Sequence, residues 1–216
     1  MAAVCGALED AYGASRLGNP KQSVDDLVYV IASNKTTPRM ARATYRRLKE
    51  KYRTWDEVLA SPFRLLLSIL KPAGLSRVKG GQLRAALRKI KGDFGRCDLR
   101  PLRRKPELEV YAYLTGLPGV SDKVAKCIMM YTMDAKVLPV DAHVHRVATR
   151  LGWTARKRAD QCHEELESVV PPEWRYAFHV GCVLHGREIC RPENPACDRC
   201  CINRYCEYFR NANGKR

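Results

Sequence analysis

The chain has 216 residues, enough to bury a real core as one large domain or two small ones. Thirty-nine Lys and Arg against 23 Asp and Glu leave a net charge of +16, and such a balance favours a polyanionic partner. Apolar runs such as Leu65–Leu67 fall far short of the ~20 residues a bilayer span needs. Met1–Gly6 has no basic stretch leading into an apolar one, so no secretory signal is expected there. The expectation is a soluble intracellular protein.

Helical periodicity runs through the whole chain, and alternating strand patterns are scarce. Ser23 reads as an N-cap ahead of Val24, with Asp25 and Asp26 in the first turn and Leu27, Val28, Val30 and Ile31 following. Pro38 suits the first turn of a helix continuing from Ala41 to Tyr52, and Ser61-Pro62 opens another through Leu70. Gly74 and the pair Gly80-Gly81 predict a short connection before a helix over Leu83–Ile90. Further helices are expected near 106–115, 122–133, 142–150, 158–168 and 173–186, with Pro171-Pro172 separating the last two. The pattern is all-α, without internal repeats.

Positive charge is segregated. Lys35, Arg39, Arg42, Arg46, Arg47, Lys49, Lys51 and Arg53 are interrupted only by Glu50, and a second cluster runs from Arg84 to Lys105 with only Asp93 and Asp98. Clustering on this scale is what a nucleic-acid-binding face requires, because each neutralised phosphate releases counterions.

Ten cysteines do not make a disulfide scaffold when nothing routes the chain to an oxidising compartment. Cys5, Cys97, Cys127, Cys162 and Cys182 are scattered, as small buried residues usually are. Cys190, Cys197, Cys200 and Cys206 instead form C-x6-C-x2-C-x5-C, close enough to wrap one metal centre. Four-cysteine zinc sites usually carry two C-x2-C knuckles, and here there is one, so spacing leaves zinc and an iron–sulfur cluster both open. Cys201 is a spare thiol, with Cys200 as the ligand it could replace.

Leu114-Thr115-Gly116-Leu117-Pro118-Gly119-Val120-Ser121 lies between two predicted helices. Such a hairpin offers backbone N–H groups and a helix N-terminus to one phosphate, without reading bases. Lys123 falls in the first turn of the second helix, where the dipole disfavours an ammonium. A lysine there is either solvated and trivial, or a candidate nucleophile with a lowered pKa. Asp141, eighteen positions on, follows Val137-Leu138-Pro139-Val140 and could simply cap the next helix.

Leu-Pro-Gly-Val-x-x-Lys, Val-Asp-x-His-Val-x-Arg-Val at this separation, and the four-cysteine loop together resemble the endonuclease III family of helix–hairpin–helix DNA glycosylases. The similarity runs in order from about residue 23 to Phe209. It implies two domains: a helical barrel over 20–136 with the helix–hairpin–helix at about 108–133, and a second domain from 1–19 plus 137–216. It also implies a 4Fe–4S cluster on Cys190, Cys197, Cys200 and Cys206. Lys123 and Asp141 would be the catalytic pair, and Gly116, Leu117, Gly119, Ser121, Lys79 and His143 would meet DNA. Leu75 matches the family's wedge, and Asn34 stands where the family usually has a glutamine near the orphan base. Ser121 replaces the second hairpin glycine.

The function so implied is excision of a damaged base from double-stranded DNA, followed by β-elimination, by a monomer working with intracellular DNA. Oxidised pyrimidines are the first expected substrate. Asn34-Lys35-Thr36-Thr37 and Lys51-Tyr52-Arg53-Thr54-Trp55 also resemble the thymine–guanine mismatch glycosylases, so thymine or uracil opposite guanine is the alternative. A non-catalytic DNA-binding module with a structural metal would share the charge, hairpin and cysteines, but would not need both Lys123 and Asp141.

Overall fold

The computed structural model describes residues 1–13 and 17–213, and among these every regular element is helical. Packing divides the chain into a central unit, Asn19–Ala135, and a terminal unit of Met1–Gly18 with Lys136–Arg216. The terminal unit begins with α1 (Ala2–Tyr12).

The central unit contains α2 (Ser23–Ser33), α3 (Pro38–Lys51), α4 (Trp55–Ala60), α5 (Phe63–Leu70), α6 (Ser76–Phe94), α7 (Glu107–Thr115) and α8 (Asp122–Met133). Helix α2 is its axis. It is buried on nearly every face and packs against α3, α6 and α8, as a helix apolar all round should be. Ser23 does not cap it. Gln22 occupies that position, and the Ser23 hydroxyl lies 2.8 Å from that of Thr132 on α8. Thr37 does cap α3, its hydroxyl accepting from the Met40 amide at 3.3 Å, with Pro38 at the first position.

Gly80 and Gly81 do not interrupt the chain: α6 runs straight through them. The reason is helix–helix distance rather than a turn. A Cβ on Gly80 would meet Leu67 at 2.9 Å and Phe63 at 3.3 Å, so the glycine lets α5 lie against α6.

The terminal unit continues with α9 (Ala142–Leu151), α10 (His163–Val169), α11 (Arg175–Glu188) and α12 (Glu207–Asn213). Helix α11 packs on α1 and α9, and α9 packs on α12. Its core gathers Val4, Leu8, Val144, Val147, Leu166 and Phe178, and Trp153 stacks on Phe178 at 5.2 Å. The helix expected over 158–168 is split into a 3-10 turn at Ala159–Gln161 and α10. Helices α1, α4 and α12 were not anticipated; α4 and α12 are too short to show a period.

Candidate functional site

Helices α7 and α8 pack together and flank the Gly116–Ser121 hairpin, giving the helix–hairpin–helix that the sequence suggested. Leu117 turns its side chain inward, 2% exposed, and anchors the turn, while Gly116, Pro118 and Gly119 remain at the surface. Gly119 has φ +82°, the left-handed region that favours glycine, and Gln82 of α6 leaves no room for a Cβ, its carbons being 2.8–2.9 Å from where one would sit. Ser121 caps α8 with φ −89°, extended backbone open to any residue, so its departure from glycine does not strain the turn.

Lys123 lies half-buried in the first turn of α8. The buried face of α2 directs Asp26 toward the same environment. Asp26 is fully buried, accepts from Asn19 Nδ2 at 2.6 Å through Oδ1, and has no hydrogen-bond partner at Oδ2. Burial pushes its carboxyl up to about 7, against the pull of the Asn19 hydrogen bond and the Lys123 ammonium.

Two exposed turns of the central unit carry further expected site residues. Helix α2 ends at Asn34, and Lys35 follows with φ +50°. A 3-10 turn, Lys71–Ala73, leads into Gly74 at φ +71° and Leu75 at φ +51°. Leu75 is 54% exposed, so this leucine combines an unfavourable backbone with an unburied apolar side chain. Lys79 corrects the expectation that it meets DNA directly. It is 2% exposed, and its ammonium donates to the carbonyls of Ala32, at 3.0 Å, and Ala73, at 2.7 Å. Burial lowers its pKa.

In the first basic cluster Arg39, Arg42, Arg47, Lys51 and Arg53 are exposed to solvent. In the second cluster Lys89 pairs with Asp93, Lys91 with Asp56, and Arg96 and Arg100 with Asp98. Arg84 and Arg103 donate to the carbonyls of Leu59 and Thr132. The first cluster has ion pairs too, Arg46 with Glu50 and Lys49 with Asp25, and both clusters stay largely at the surface.

In the terminal unit Asp141 caps α9, its Oδ1 accepting from the amides of His143, at 2.8 Å, and Val144, at 2.9 Å. The segment before it is pinned at successive residues. Glu167 Oε1 accepts from the Leu138 amide at 2.6 Å, and His179 Nδ1 lies 2.8 Å from the Pro139 carbonyl. His143 Nδ1 lies 3.1 Å from Arg146 Nη2. His145 instead meets the Arg156 carbonyl at 2.8 Å.

Cys190, Cys197, Cys200 and Cys206 line one pocket together with Arg150, Ile189, Pro195, Asn203, Tyr208 and Phe209. Cys201 is exposed and does not line it. Arg150 Nη1 donates to Cys190 Sγ at 3.1 Å and to the Arg191 carbonyl at 2.8 Å, while its Nη2 reaches the Pro192 carbonyl at 2.9 Å. Arg146 Nε holds the Cys190 carbonyl at 2.8 Å. Behind Cys200 stands His185, fully buried and bonded on its other nitrogen to the Tyr12 hydroxyl at 2.9 Å. Burial pushes the Cys200 thiol up to about 12, so a thiolate there calls for a positive centre beside it.

Residues 28–172 match the HhH-GPD superfamily, described as base excision DNA repair proteins. The chain belongs to that superfamily. Its activity class is that of a DNA glycosylase in base excision repair. It is 29% identical to an endonuclease III of Thermotoga maritima over 185 residues, covering 85% of this chain and 82% of the relative. It is 30% identical to a putative DNA glycosylase of Arabidopsis thaliana over 168 residues, covering 76% of this chain and 56% of that protein. Its fold is that of a solved non-covalent endonuclease III–DNA complex, with a TM-score of 0.84, 23% identity, and coverage of 98% and 95%. A thermostable thymine-DNA glycosylase is similar too, with a TM-score of 0.81, 22% identity, and coverage of 96% and 95%.

Four groups of this HhH-GPD protein escaped sequence reasoning: Asp26, Arg146, Arg150 and the Tyr12–His185 pair. Asp26 had a readable signal, since it falls one turn before Val30 on an apolar face, yet a first-turn acid is ordinary. Arg146 stood in the Val-Asp-x-His-Val-x-Arg-Val motif, but its bonds to Gly186 and Cys190, like those of Arg150 and of the Tyr12–His185 pair, join residues 40 or more positions apart and leave no local pattern. Among the described residues no helix is long and apolar enough to cross a membrane.

Proposed function

We propose that this glycosylase is bifunctional: it excises oxidised pyrimidines from double-stranded DNA and then cleaves the resulting abasic site by β-elimination. The observation that carries the reading is Lys123, half-buried two residues past the cap of α8, directly after the hairpin and electrostatically coupled to the buried carboxyl of Asp26. An amine in that setting is a nucleophile when neutral.

In the reaction, the target nucleotide leaves the base stack. The Lys123 amine attacks C1′, the glycosidic C–N bond breaks, and the base departs with the bonding electrons. Loss of the amine proton and opening of the sugar ring leave a Schiff base, and removal of a C2′ proton then expels the 3′ phosphate. Asp141, oriented by the two amides it caps, stabilises positive charge as it develops at the sugar and assists proton transfer around Lys123. The backbone of Gly116–Ser121 holds a phosphate, Leu75 fills the gap left by the extruded base, and Asn34 stands near its former partner. The half-buried His143 is suited to donate a ring N–H to a phosphate oxygen. The protein acts as a monomer.

A 4Fe–4S cluster would be held by Cys190, Cys197, Cys200 and Cys206: the four cysteines line one pocket, and Arg150 donates to one of their sulfurs. Such a cluster, when bound, supplies a covalent cross-link between distant parts of the loop.

Thymine or uracil opposite guanine is the second reading. Lys35 favours it, since an exposed ammonium on a left-handed turn can donate to guanine O6 and N7. Borohydride trapping on duplexes carrying thymine glycol, uracil opposite guanine and thymine opposite guanine tests both. Wild-type protein should trap best on thymine glycol, and Lys123→Ala should trap on none. Abundant trapping by Lys123→Ala would overturn the mechanism, and preference for a mismatch would overturn the substrate.

A further inference from the structure

Lys79 has no solvent-facing role, yet it sits where two site turns begin. Its ammonium donates to Ala32 O in the last turn of α2 and to Ala73 O at the end of the Lys71–Ala73 turn. Both carbonyls are C-terminal helix groups that lack partners of their own, and both carry the negative end of a helix dipole. One buried cation therefore closes two helix ends. The chain leaves each end into the left-handed region: Lys35 after the first, Gly74 and Leu75 after the second. For Lys35 and Leu75 that conformation is unfavourable and persists only when surroundings enforce it. Asn34, Lys35, Gly74 and Leu75 are all exposed, so no burial of their side chains does the enforcing.

We infer that Lys79 is a positioning residue that ties the Asn34–Lys35 and Gly74–Leu75 turns into one rigid two-pronged element for entering the duplex. This rests on the proposed roles of Leu75 and Asn34. The clamp leaves Lys79 away from DNA and fixes the distance between the two turns. Without it the ends of α2 and the 3-10 turn lose a shared partner, and each turn can relax toward ordinary backbone. An ammonium suits this task better than an amide, since it carries three donors on a flexible stem and reaches carbonyls from two directions.

The test compares wild type with Lys79→Met on one lesion presented in two ways: fully paired, and within a short bubble of mismatches where unstacking is already complete. Single-turnover excision from the paired duplex should fall at least ten-fold, and excision from the bubble by no more than about two-fold. Introducing Lys79→Met into Leu75→Ala should cost little more than Leu75→Ala alone, because the clamp then has no wedge to position. Equal losses on both substrates, or additive losses in the double variant, would overturn the proposal. Lys79→Gln retains a donor that reaches one carbonyl but not both; it should fold and fall between the two. An excision rate equal to wild type on the paired duplex would likewise overturn the proposal. A fluorescent adenine analogue beside the lesion reports base opening before any chemistry. If wild type opens the base but never traps with borohydride, the lyase reading fails while the clamp is still read from the opening signal.

Discussion

The hairpin-bearing central unit and the cysteine-bearing terminal unit both hold surface loops with buried or half-buried cations, but they do so differently. In the central unit one lysine joins two carbonyls, and the loops it serves are left-handed and exposed. In the terminal unit Arg146 and Arg150, one turn apart on α9, spread donors over Gly186, Cys190, Arg191 and Pro192. The first arrangement is complete without any bound group. The second borders a pocket lined by four cysteines. Loss of the proposed metal cluster should therefore loosen the terminal loop and leave the central loops as they are.

The largest effect expected from that difference follows removal of a cluster ligand. Cys197→Ser should abolish broad visible absorbance and lower the melting temperature by about 10 °C, as a loss of several kcal/mol would in a chain of this size. Hydrogen exchange should rise around residues 190–206 and stay unchanged at Lys35 and Leu75. Equal loosening of both regions would break the contrast.

An intermediate effect belongs to the hairpin. Gly119→Ala places a side chain at φ +82° and against Gln82, costing roughly 1–3 kcal/mol and weakening binding to any duplex regardless of sequence. Adding Gln82→Ala removes Cγ and Cδ but leaves Cβ 2.8 Å from the new methyl, so it should restore only a fraction of the loss. Full restoration by the second substitution would show that the left-handed backbone is not strained by alanine, and thermal melts of the two variants would reveal it.

The smallest effect concerns Asp26 and depends on pH. Burial raises its folded pKa from 3.8 to about 7, so the folded state favours the neutral carboxyl. Relative to the unfolded chain this contribution is fully present below about pH 4 and is lost as pH rises through about 7. Asn stays neutral throughout, so Asp26→Asn should melt like wild type near pH 4 and above it by a margin that widens to pH 8. The Lys123 ammonium opposes the shift, so Lys123→Ala should move the crossover to higher pH. A constant margin across that range would show that Asp26 does not titrate in the fold.

Much of the architecture was present in local patterns. The period of apolar residues marked α2, α3, α7, α8, α9 and α11, and Pro38 placed the start of α3. The helix–hairpin–helix was legible because its turn chemistry is local: glycine, proline and a helix start within a few residues. The same locality misled at Gly80-Gly81, where glycine serves close packing of α5 on α6 and punctuates nothing. Ser23 misled similarly, since its hydroxyl is engaged by Thr132, over a hundred residues away.

Sequence by itself determined the helical class, the hairpin, the spacing of four cysteines and the family these identify. Those features depend on residue type and short separation, which a chain carries whether folded or not. Tertiary structure alone decided what the charged groups do. Lys79 looked like a DNA contact and proved to be a buried clamp, Asp26 looked like a helix-start acid and proved to be a neutralisable core carboxyl, and several cations of the Arg84–Lys105 cluster, though mostly exposed, are engaged by carbonyls and acids. A charge is defined by its partners and its access to water, and both are set by segments far away in the chain.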